Sequence, residues 1–292
     1  MIDFRNLETF LWVANLGSFS AAAAKLATTQ PAVSHRIVQL EQGFGVRLLE
    51  RDHRSATLTE AGRKLYAYAE RAVKLRTEVR ASMCNPRDIS GPLRVGVVDT
   101  ITQIWLPDFV RQVEAVYPNL NLEIHADITM ELRRMLIRQE LDLVFAMGPL
   151  TEPMIENRFL CDYPVNFIAS PKLNVPKPAT IEDLARFRLL TFPRRTQPYE
   201  ILHSVFNAPS MPPVRIHSSN VLSTFIPLAI EALGILVIPP IIVERHIASG
   251  HLEIIPTDVL LPDVHFTASW LNAPDTLTAK LIAELAIDVV KI

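Results

Sequence analysis

The sequence has few cysteines and no long hydrophobic run. The two cysteines among its 292 residues, Cys84 and Cys161, lie far apart and form no C-x-x-C motif. Such sparse cysteine indicates reduced thiols in a cytoplasmic protein rather than a disulfide scaffold. The apolar stretches fall short of the roughly 20 residues that span a bilayer, so no membrane partner is expected. The N-terminus lacks the basic segment and the cleavage site of a secretory signal.

Catalytic motifs are also missing. The sequence contains no P-loop, no G-x-G-x-x-G, no G-x-S-x-G and no H-E-x-x-H. Its eight histidines show no spacing typical of a metal site. We therefore expect that the protein is not an enzyme and that it holds neither a metal nor a cofactor.

Charge is unevenly distributed along a chain that is long enough for two or three domains. Residues 1–88 contain 13 Lys and Arg against 9 Asp and Glu, whereas residues 89–292 contain 16 against 22. A basic segment joined to an acidic body is typical of a protein that binds nucleic acid at one end.

Two short helices are predicted at the start of the chain. Apolar residues at helical spacing, with Asn6 as the N-cap, predict a first helix that Gly17 ends. Ser18 or Ser20 is expected to cap a second helix, SAAAAKLA, whose alanines permit close approach of a neighbour.

A third helix has an apolar face and a polar face. It begins at Gln30-Pro31, where proline suits the first helical position, and its apolar side carries Val33, Ile37, Leu40 and Phe44. The other side carries groups that hydrogen-bond to base edges and phosphates. These residues are Gln30, Ser34, His35, Arg36, Gln39 and Gln42. The pattern predicts a helix-turn-helix over about residues 18–37. A three-helix domain with a solvated polar face is the alternative.

A hairpin follows the third helix. Val46, Leu48 and Thr57-Leu58 predict two short strands, with residues 52–55 at the tip between them. Basic side chains in this hairpin are expected to reach the phosphate backbone if it forms the wing of a DNA-binding domain. They belong to Arg51, His53 and Arg54. A solvated hairpin is the alternative.

A long helix is predicted from Glu60 onward, with Thr59 as its N-cap. Small and apolar residues recur along it in alternating steps of four and three, which is a heptad pattern. They are Ala61, Leu65, Tyr68, Ala72, Leu75, Val79 and Ser82. Such a helix, of about 26 residues and about 40 Å, would leave this stripe exposed, so a second copy of the chain is the expected partner. Packing of the stripe on the chain's own body is the alternative.

Residues 4–88 resemble the DNA-binding domain and linker helix of LysR-type transcriptional regulators. The matching stretches are LETFLWVANLGSFSAAAAKLATTQPAVSHRIVQLEQGFGVRLLER and LTEAGRKLYAYA. The resemblance implies base contacts from Gln30, Pro31, Ser34 and His35. It implies phosphate contacts from Arg36, Arg51 and Arg54, and Thr29 and His53 complete the predicted DNA-binding set. Gly43 departs from the family pattern and is expected to loosen the end of the third helix.

Strands and helices alternate from residue 91 onward, after a hinge marked by Asn85-Pro86 and Gly91-Pro92. The predicted strands are LRVGVVD, LNLEIHA, LDLVFAM, VNFIAS, RLLTF, VRIHSS, GILVIP and VHFTASWL. Helices are predicted between most of them, at about 102–116, 130–140, 181–187, 198–206, 221–233 and 275–291. This alternation of strands and helices predicts two α/β lobes with parallel sheets. The chain is expected to cross between the lobes near 161–164 and to return near 265–269.

Two such lobes place strand carboxyl ends and helix N-termini at a shared cleft, where ligands bind. Small polar residues follow several of the predicted strands, and apolar residues are available as walls. The candidates are Thr100, Thr102, Thr129, Phe145, Phe192, Pro193, Ser218, Ser219 and Asn220. Simple helix capping by the hydroxyl groups is the alternative interpretation of this pattern.

The C-terminal part resembles the effector-binding domain of the same family, which is similar to periplasmic solute-binding folds. The resemblance implies effector contacts at Thr100, Thr102, Thr129, Phe192, Pro193 and Asn220. Asp99 would disfavour a carboxylate ligand unless a neighbouring cation offsets its charge. Arg194 and Arg195 are candidates for that role and are equally compatible with a solvated surface.

We therefore expect an α + α/β protein with three parts. These are a winged helix-turn-helix over 1–58, a linker and dimerisation helix over 59–90, and a two-lobed, periplasmic-binding-protein-like α/β effector domain over 91–292. Lobe I is expected at about 91–161 and 268–292, and lobe II at about 162–267. The resemblance implies a homodimer, joined into a homotetramer, that binds double-stranded DNA under control of a small-molecule effector and acts with RNA polymerase. A cytoplasmic small-molecule-binding protein of solute-binding fold, without a transcriptional role, is the alternative.

Overall fold

The computed structural model describes residues 3–51, 56–83, 85–152, 154–207, 213–273 and 276–290. The chain divides into two compact units. The first comprises Met1–Pro86 with Asn272–Thr278, and the second comprises Arg87–Leu271 with Ala279–Ile292. No helix in the described ranges combines the length and the hydrophobicity needed to cross a membrane.

The first unit is built from four helices and a two-stranded hairpin. Its elements are α1 (Phe4–Leu16), α2 (Phe19–Lys25), α3 (Gln30–Phe44), β1 (Leu49–Arg51), β2 (Ala56–Leu58) and α4 (Glu60–Met83). The three predicted N-terminal helices are all present, and the long helix runs for 24 residues.

The first helix begins earlier than the sequence suggested. The carboxylate of Asp3 accepts a hydrogen bond from the backbone N–H of Arg5 at 2.9 Å and caps α1. Asn6, the predicted cap, instead lies within the helix, where it is 9% exposed. Gly17 ends α1 with a φ of 60°, as expected for a residue just past a helix.

The other helices of the first unit begin at capping hydroxyls. Ser18, rather than Ser20, accepts from the backbone N–H of Ala21 at 3.3 Å and caps α2. Thr59 accepts from the backbone N–H of Gly62 at 2.9 Å at the start of α4, as predicted. These bonds satisfy N–H groups that the first turn of a helix otherwise leaves unpaired.

The core of the first unit lies among all four helices and the hairpin. Phe10, Val13, Val33 and Ile37 are 0% exposed within it. Val46, which the sequence placed in a strand, is 47% exposed and precedes the hairpin, so the hairpin begins three residues later than predicted. The apolar face of α3 thus fixes this helix against α1 and α2, and the opposite face lies away from this core.

The second unit contains two mixed five-stranded sheets. Its elements in chain order are β3 (Gly91–Val97), α5 (Asp99–Ile104), α6 (Leu106–Val116), β4 (Leu120–Ala126), α7 (Thr129–Ile137), β5 (Leu143–Met147), β6 (Ile155–Tyr163), β7 (Asn166–Ala169), α8 (Ile181–Ala185), β8 (Arg188–Thr191), α9 (Gln197–Phe206), β9 (Arg215–Ser218), α10 (Phe225–Ile230), β10 (Ile235–Ile238), α11 (Glu244–Ala248), β11 (Glu253–Ile254), β12 (Val264–Leu271) and α12 (Leu277–Val290). Short 3-10 helices occur at Pro86–Asp88, Pro171–Leu173, Leu222–Thr224 and Pro240–Val243.

Each sheet forms the centre of one lobe. The strand order is β4-β3-β5-β12-β6 in the first sheet and β11-β7-β10-β8-β9 in the second. The pairs β3–β4, β3–β5, β8–β9 and β8–β10 are parallel. Strand β12 pairs antiparallel with β5 and β6, and β7 pairs antiparallel with β10. The predicted alternation of strands and helices therefore produces three parallel strands on one side of each sheet, from an edge strand to the central strand, but not wholly parallel sheets.

Strands β6 and β12 carry the chain between the lobes. They pair with each other from Tyr163↔Val264 to Ile155↔Leu271, with an irregularity beside Phe266. Since β12 already lies in the first sheet at Val264, the return to that sheet precedes the predicted region of 265–269. The two crossings are thus adjacent strands of one sheet, which is a simple geometry for a hinge.

Several elements differ from their sequence prediction. The helix predicted over 102–116 is two helices, because the chain turns at Trp105 and restarts before Pro107. The helix predicted over 221–233 is a 3-10 turn, Leu222–Thr224, continued by α10. Strands β6 and β11 and helix α11 were not predicted.

Candidate DNA-binding surface and ligand cleft

The start of α3 presents polar groups at the surface. Thr29 caps this helix by accepting from the backbone N–H of Ala32 at 3.4 Å. Gln30 is the first helical residue and Pro31 the second, one position later than predicted for proline. Both are exposed, as are Thr29 and His35. These residues share the first two turns of α3, the part of a recognition helix that contacts base edges.

Gln30 and Ser34 are linked on this surface. The Gln30 Nε2 donates to Ser34 Oγ at 3.2 Å, one helical turn away. Both groups can rearrange to contact DNA, because an amide and a hydroxyl each offer a donor and an acceptor. The contacts that the sequence assigns to these residues stay a prediction.

Arg36 has a partner within the protein. Its guanidinium donates to Thr9 Oγ1 at 3.4 Å, and Thr9, which is 0% exposed, donates to the carbonyl oxygen of Arg5 at 2.7 Å. The side chain therefore lies against α1, and a phosphate contact by Arg36 stays a prediction that requires it to leave Thr9. Phe44, expected beside the core, is 39% exposed at the end of α3.

The hairpin after α3 has the expected antiparallel pairing. Leu49 faces Leu58 and Arg51 faces Ala56. His53, Arg54 and the side chain of Arg51 lie outside the described residues, so their predicted phosphate contacts stay predictions.

The apolar stripe of α4 divides into two parts. Ala61, Leu65 and Ala72 pack against the core of the first unit, together with the buried Ala69 and Val73. This part of the predicted seam is thus covered by the chain itself, because α4 closes the helix-turn-helix core. The other apolar side chains are exposed by 68% at Tyr68, 61% at Leu75, 52% at Val79 and 82% at Met83. The side chain of Ser82 lies outside the described residues.

A cavity lies between the two lobes of the second unit, at the carboxyl ends of β3, β4 and β8. It encloses about 310 Å³, including the part that is open to solvent. Residues of both lobes line it: Val98, Asp99, Thr100, Asp127, Ile128, Thr129, Met147, Phe192, Pro193, Thr196, Asn220 and Leu222. Strand ends and helix starts meet here, as the sequence led us to expect for a ligand cleft.

Five of the predicted effector residues line this cavity together: Thr100, Thr129, Phe192, Pro193 and Asn220. The other four candidates lie outside it. Phe145 is 0% exposed and stacks edge-on with Trp105 and Phe109, with ring centroids 5.3 Å and 5.0 Å away. Its prediction as a cleft wall is wrong, because β5 is covered on both faces and this ring points into the lobe's own core.

The hydroxyls of Thr102 and Ser219 serve local turns. Thr102 Oγ1 donates to the carbonyl oxygen of Asp99 at 2.6 Å. Ser219 Oγ accepts from the backbone N–H of Val221 at 3.0 Å. For these two residues the capping alternative describes the observed bonds, and neither lines the cavity. Ser218 ends β9 and lies outside the cavity as well.

Thr100 differs from the other hydroxyls. It is 2% exposed and lines the cavity, and its hydroxyl has no hydrogen-bond partner among the described residues. A hydroxyl at the cavity wall that forms no hydrogen bond within the protein is available to a ligand.

Two carboxylates line the same cavity. Asp99, the first residue of α5, accepts from the backbone N–H of Leu222 in the other lobe, with 2.8 Å between Oδ2 and N. Asp127 follows β4 and accepts from the backbone N–H of Ile128 at 2.7 Å. Asp99 thus joins the lobes across the cleft. Arg194 and Arg195, the candidates for offsetting its charge, are exposed and lie outside the cavity.

Sequence reasoning missed several cavity residues. Asp127, Ile128, Met147, Thr196 and Leu222 line the site without having been predicted. Asp127 follows the end of β4 as Thr100 follows β3, so the same rule of polar residues after strands could have found it. Met147 and Leu222 carry no comparable signal.

The comparisons with known proteins match this architecture. Residues 4–63 match the model of the bacterial regulatory helix-turn-helix protein, lysR family, and residues 86–289 match the LysR substrate binding domain. The transcriptional regulator GltR of Bacillus subtilis (strain 168) is 28% identical over 252 residues, covering 86% of this chain and 84% of that protein.

Solved structures share the fold. A full-length OxyR variant from Pseudomonas aeruginosa, in which one cysteine is replaced by aspartate, superposes with a TM-score of 0.60 at 22% identity, covering 99% of this chain and 100% of that one. Full-length CbnR, in complex with its target DNA, superposes with a TM-score of 0.53 at 20% identity, covering 98% and 100%.

A winged helix-turn-helix unit followed by a two-lobed α/β unit with a cleft defines a DNA-binding regulator with an effector-binding domain. The chain belongs to the LysR family of transcriptional regulators.

Proposed function

We propose that the chain reads its operator with the first two turns of α3. The proposal rests on the surface formed by the exposed Gln30, Pro31 and His35 and the partly exposed Ser34. The opposite face of the same helix is 0% exposed at Val33 and Ile37. A rigid core behind the helix favours sequence reading, because base contacts require side chains in fixed positions. Basic residues of the hairpin then contact the phosphate backbone without regard to sequence.

Dimerisation through α4 is the second part of the proposal. Tyr68, Leu75, Val79 and Met83 form an apolar stripe at helical spacing that the first unit leaves uncovered. The corresponding stripe of a second copy is a complementary partner, since a two-fold interface joins the same surface of both chains. Two copies then present two reading helices to successive major grooves. Joining of two dimers through their α/β bodies completes the expected homotetramer.

Control by a small molecule in the cleft is the third part. The cavity has walls from both lobes, and the bond from Leu222 to Asp99 spans it. A ligand that changes this contact changes the angle between the lobes. Because α4 is joined directly in sequence to the second unit, such a change can alter the spacing of two DNA-binding units and thereby DNA bending or contact with RNA polymerase. This action takes place in the cytoplasm and needs neither catalysis nor a cofactor.

A gel-shift assay on the DNA that flanks the gene tests the reading surface. We expect Gln30→Ala to relax base preference at one operator position, at a cost of about 1–3 kcal/mol, because a base-edge contact is lost. Gln112→Ala, at an exposed position of α6 in the second unit, is the matched control and should bind as the parent does. Equal weakening on all DNA sequences by Gln30→Ala would refute the assignment.

Arg54→Ala makes the complementary comparison. Loss of a phosphate contact should weaken binding to every DNA sequence alike and reduce its salt dependence. A change of base preference in this variant would reverse the roles assigned to the wing and to α3.

A further inference from the structure

We infer that the interlobe cleft selects a small organic cation, such as an amine or a guanidine, and rejects carboxylates. This inference rests on the proposed role of the cleft as the effector site. It adds the chemical class of the ligand, which neither the sequence nor the family specifies.

The first observation is the charge of the cavity wall. Asp99 and Asp127 both line it, and neither forms an ion pair with a described residue. No lysine, arginine or histidine lines the cavity within the described ranges. An entering carboxylate would meet two like charges with no cationic side chain in the wall to offset them, whereas a cation would meet two opposite charges.

The second observation concerns the helix N-termini, which would otherwise attract an anion. Asp127 already accepts from the backbone N–H of Ile128, immediately before α7. Asp99 lies in the first turn of α5 and accepts from the backbone N–H of Leu222, which begins the 3-10 turn leading into α10. The chain's own carboxylates therefore occupy the positions that a ligand carboxylate would use.

The magnitudes support the same conclusion. A helix N-terminus carries roughly half a positive charge. Each aspartate carries a full negative charge, and each directs one oxygen to a backbone N–H. The two helix starts therefore offset only part of the charge of the two carboxylates, and the wall remains negative.

The third observation is the free hydroxyl of Thr100. Thr100 is 2% exposed as a residue and lines the cavity, and its hydroxyl forms no hydrogen bond with a described residue. As an acceptor it can take a hydrogen bond from an ammonium or a guanidinium group, beside the two carboxylates. Phe192 and Pro193 supply an apolar wall for the aliphatic part of such a ligand.

Matched probes of opposite charge test the inference on the full-length protein. Agmatine carries two positive charges, glutarate carries two negative charges, and 1,5-pentanediol is a neutral compound of similar length. Methyl NMR of protein labelled at methionine and isoleucine reports on the cavity through Met147 and Ile128. We expect agmatine to shift these methyl signals in a saturable way, and glutarate and the diol to bind at least tenfold more weakly.

Variants identify the cause of the selectivity. Asp99→Asn keeps an acceptor for the N–H of Leu222 while it removes the charge, and Asp127→Asn does the same for Ile128. The double variant should bind agmatine at least tenfold more weakly than the parent. Asp258→Asn removes a charge at a residue outside the cavity and should leave agmatine binding unchanged.

Other outcomes would overturn the inference. Glutarate binding at the Met147 and Ile128 methyls as tightly as agmatine would do so, and so would agmatine binding no more tightly than the diol. Either result, obtained with protein that still binds its operator in the gel shift, would leave the proposed regulatory function intact. Failure of the parent protein to bind the operator in the gel shift is the separate result that counts against the proposed function itself.

Discussion

At the residue scale, Thr100 lines the cavity with a hydroxyl that forms no hydrogen bond with a described residue. Because this hydroxyl forms no hydrogen bond within the protein, its replacement by an isosteric apolar side chain should not destabilise the fold. We expect Thr100→Val to equal the parent in free energy of unfolding to within about 0.5 kcal/mol. Urea unfolding of the ligand-free protein measures this difference.

Thr191→Val is the matched control for that prediction. Thr191 is also buried, at 1% exposure, but its hydroxyl donates to the carbonyl oxygen of Val237 at 2.9 Å. Its replacement should cost about 1 kcal/mol, because a buried hydrogen bond is lost. Equal losses of unfolding free energy in the two variants would show that Thr100 is an ordinary structural residue.

Tyr66 links α4 to α1 through a partly buried hydrogen bond. Its hydroxyl donates to Asn15 Oδ1 at 2.5 Å, and burial, followed by the nearby charge of Glu70, raises the pKa of Tyr66 to about 12. The folded protein therefore holds this proton more tightly than the unfolded chain does. The associated stability is fully present below a pH of about 10 and is lost as the pH rises toward 12.

Tyr66→Phe should remove the part of the alkaline loss of stability that comes from this titration. We expect the variant to be about 1 kcal/mol less stable than the parent near neutral pH, and the difference to shrink above a pH of about 10. Urea unfolding of both proteins at a series of pH values measures it. A difference that stays constant or grows with pH would contradict the assignment of this titration to Tyr66.

The sequence predicted some of the cleft residues and missed others. Thr100, Thr129 and Asn220 follow strands, and this position together with the family resemblance predicted that they would line the cavity. The same rule of position also selected Thr102, Ser218 and Ser219, which lie outside it. The position cannot tell which side chain of a fully covered strand points outward, so Phe145 was chosen and Met147 was missed. The bond from Leu222 to Asp99 joins residues 123 positions apart in the chain, and no local pattern encodes it.

At the element scale, two glycines within helices have opposite environments. A Cβ on Gly62, in the first turn of α4, would overlap the carbonyl oxygen of Leu48 and lie 3.1 Å from Leu58 Cδ2. A Cβ on Gly43, in α3, would meet no atom within 4 Å. The close approach at Gly62 holds α4 against the hairpin, whereas the Gly43 position has space for a side chain.

Substitution by alanine should separate these two cases. Gly62→Ala should destabilise the protein by about 1–3 kcal/mol, because backbone must move to admit the methyl group. Gly43→Ala should stabilise it by roughly 0.5–1 kcal/mol, because alanine loses less conformational freedom in a helix. Thermal unfolding measures both changes. A stabilising Gly62→Ala would show that the contact with Leu48 relaxes freely.

Sequence periodicity predicted most helices and the strands with many buried residues. Strand β12 matches its predicted segment, 264–271, because its residues are nearly all buried. Strand β6 was missed because it lies at the sheet edge and mixes charged with apolar residues. Its partner β12 lies about a hundred residues later, so pairing across the fold, rather than local pattern, makes it a strand.

At the scale of the whole molecule, the proposed mechanism requires two copies of the chain. The exposed stripe of α4 is its structural basis, so a double change Leu75→Glu with Val79→Glu should shift the protein toward monomer. Sedimentation velocity measures the shift. Leu260→Glu makes the same chemical change at a residue that is 87% exposed in the second unit and should leave the assembly unchanged. A double variant that assembles like the parent would place the interface elsewhere.

The most direct test of paired reading helices is a DNase I footprint of the full-length protein on the DNA that flanks its gene. Paired helices predict two protected half-sites whose centres lie one helical turn, about 34 Å, or a multiple of it apart. Protection of a single half-site, or uniform protection without sequence preference, would contradict the pairing.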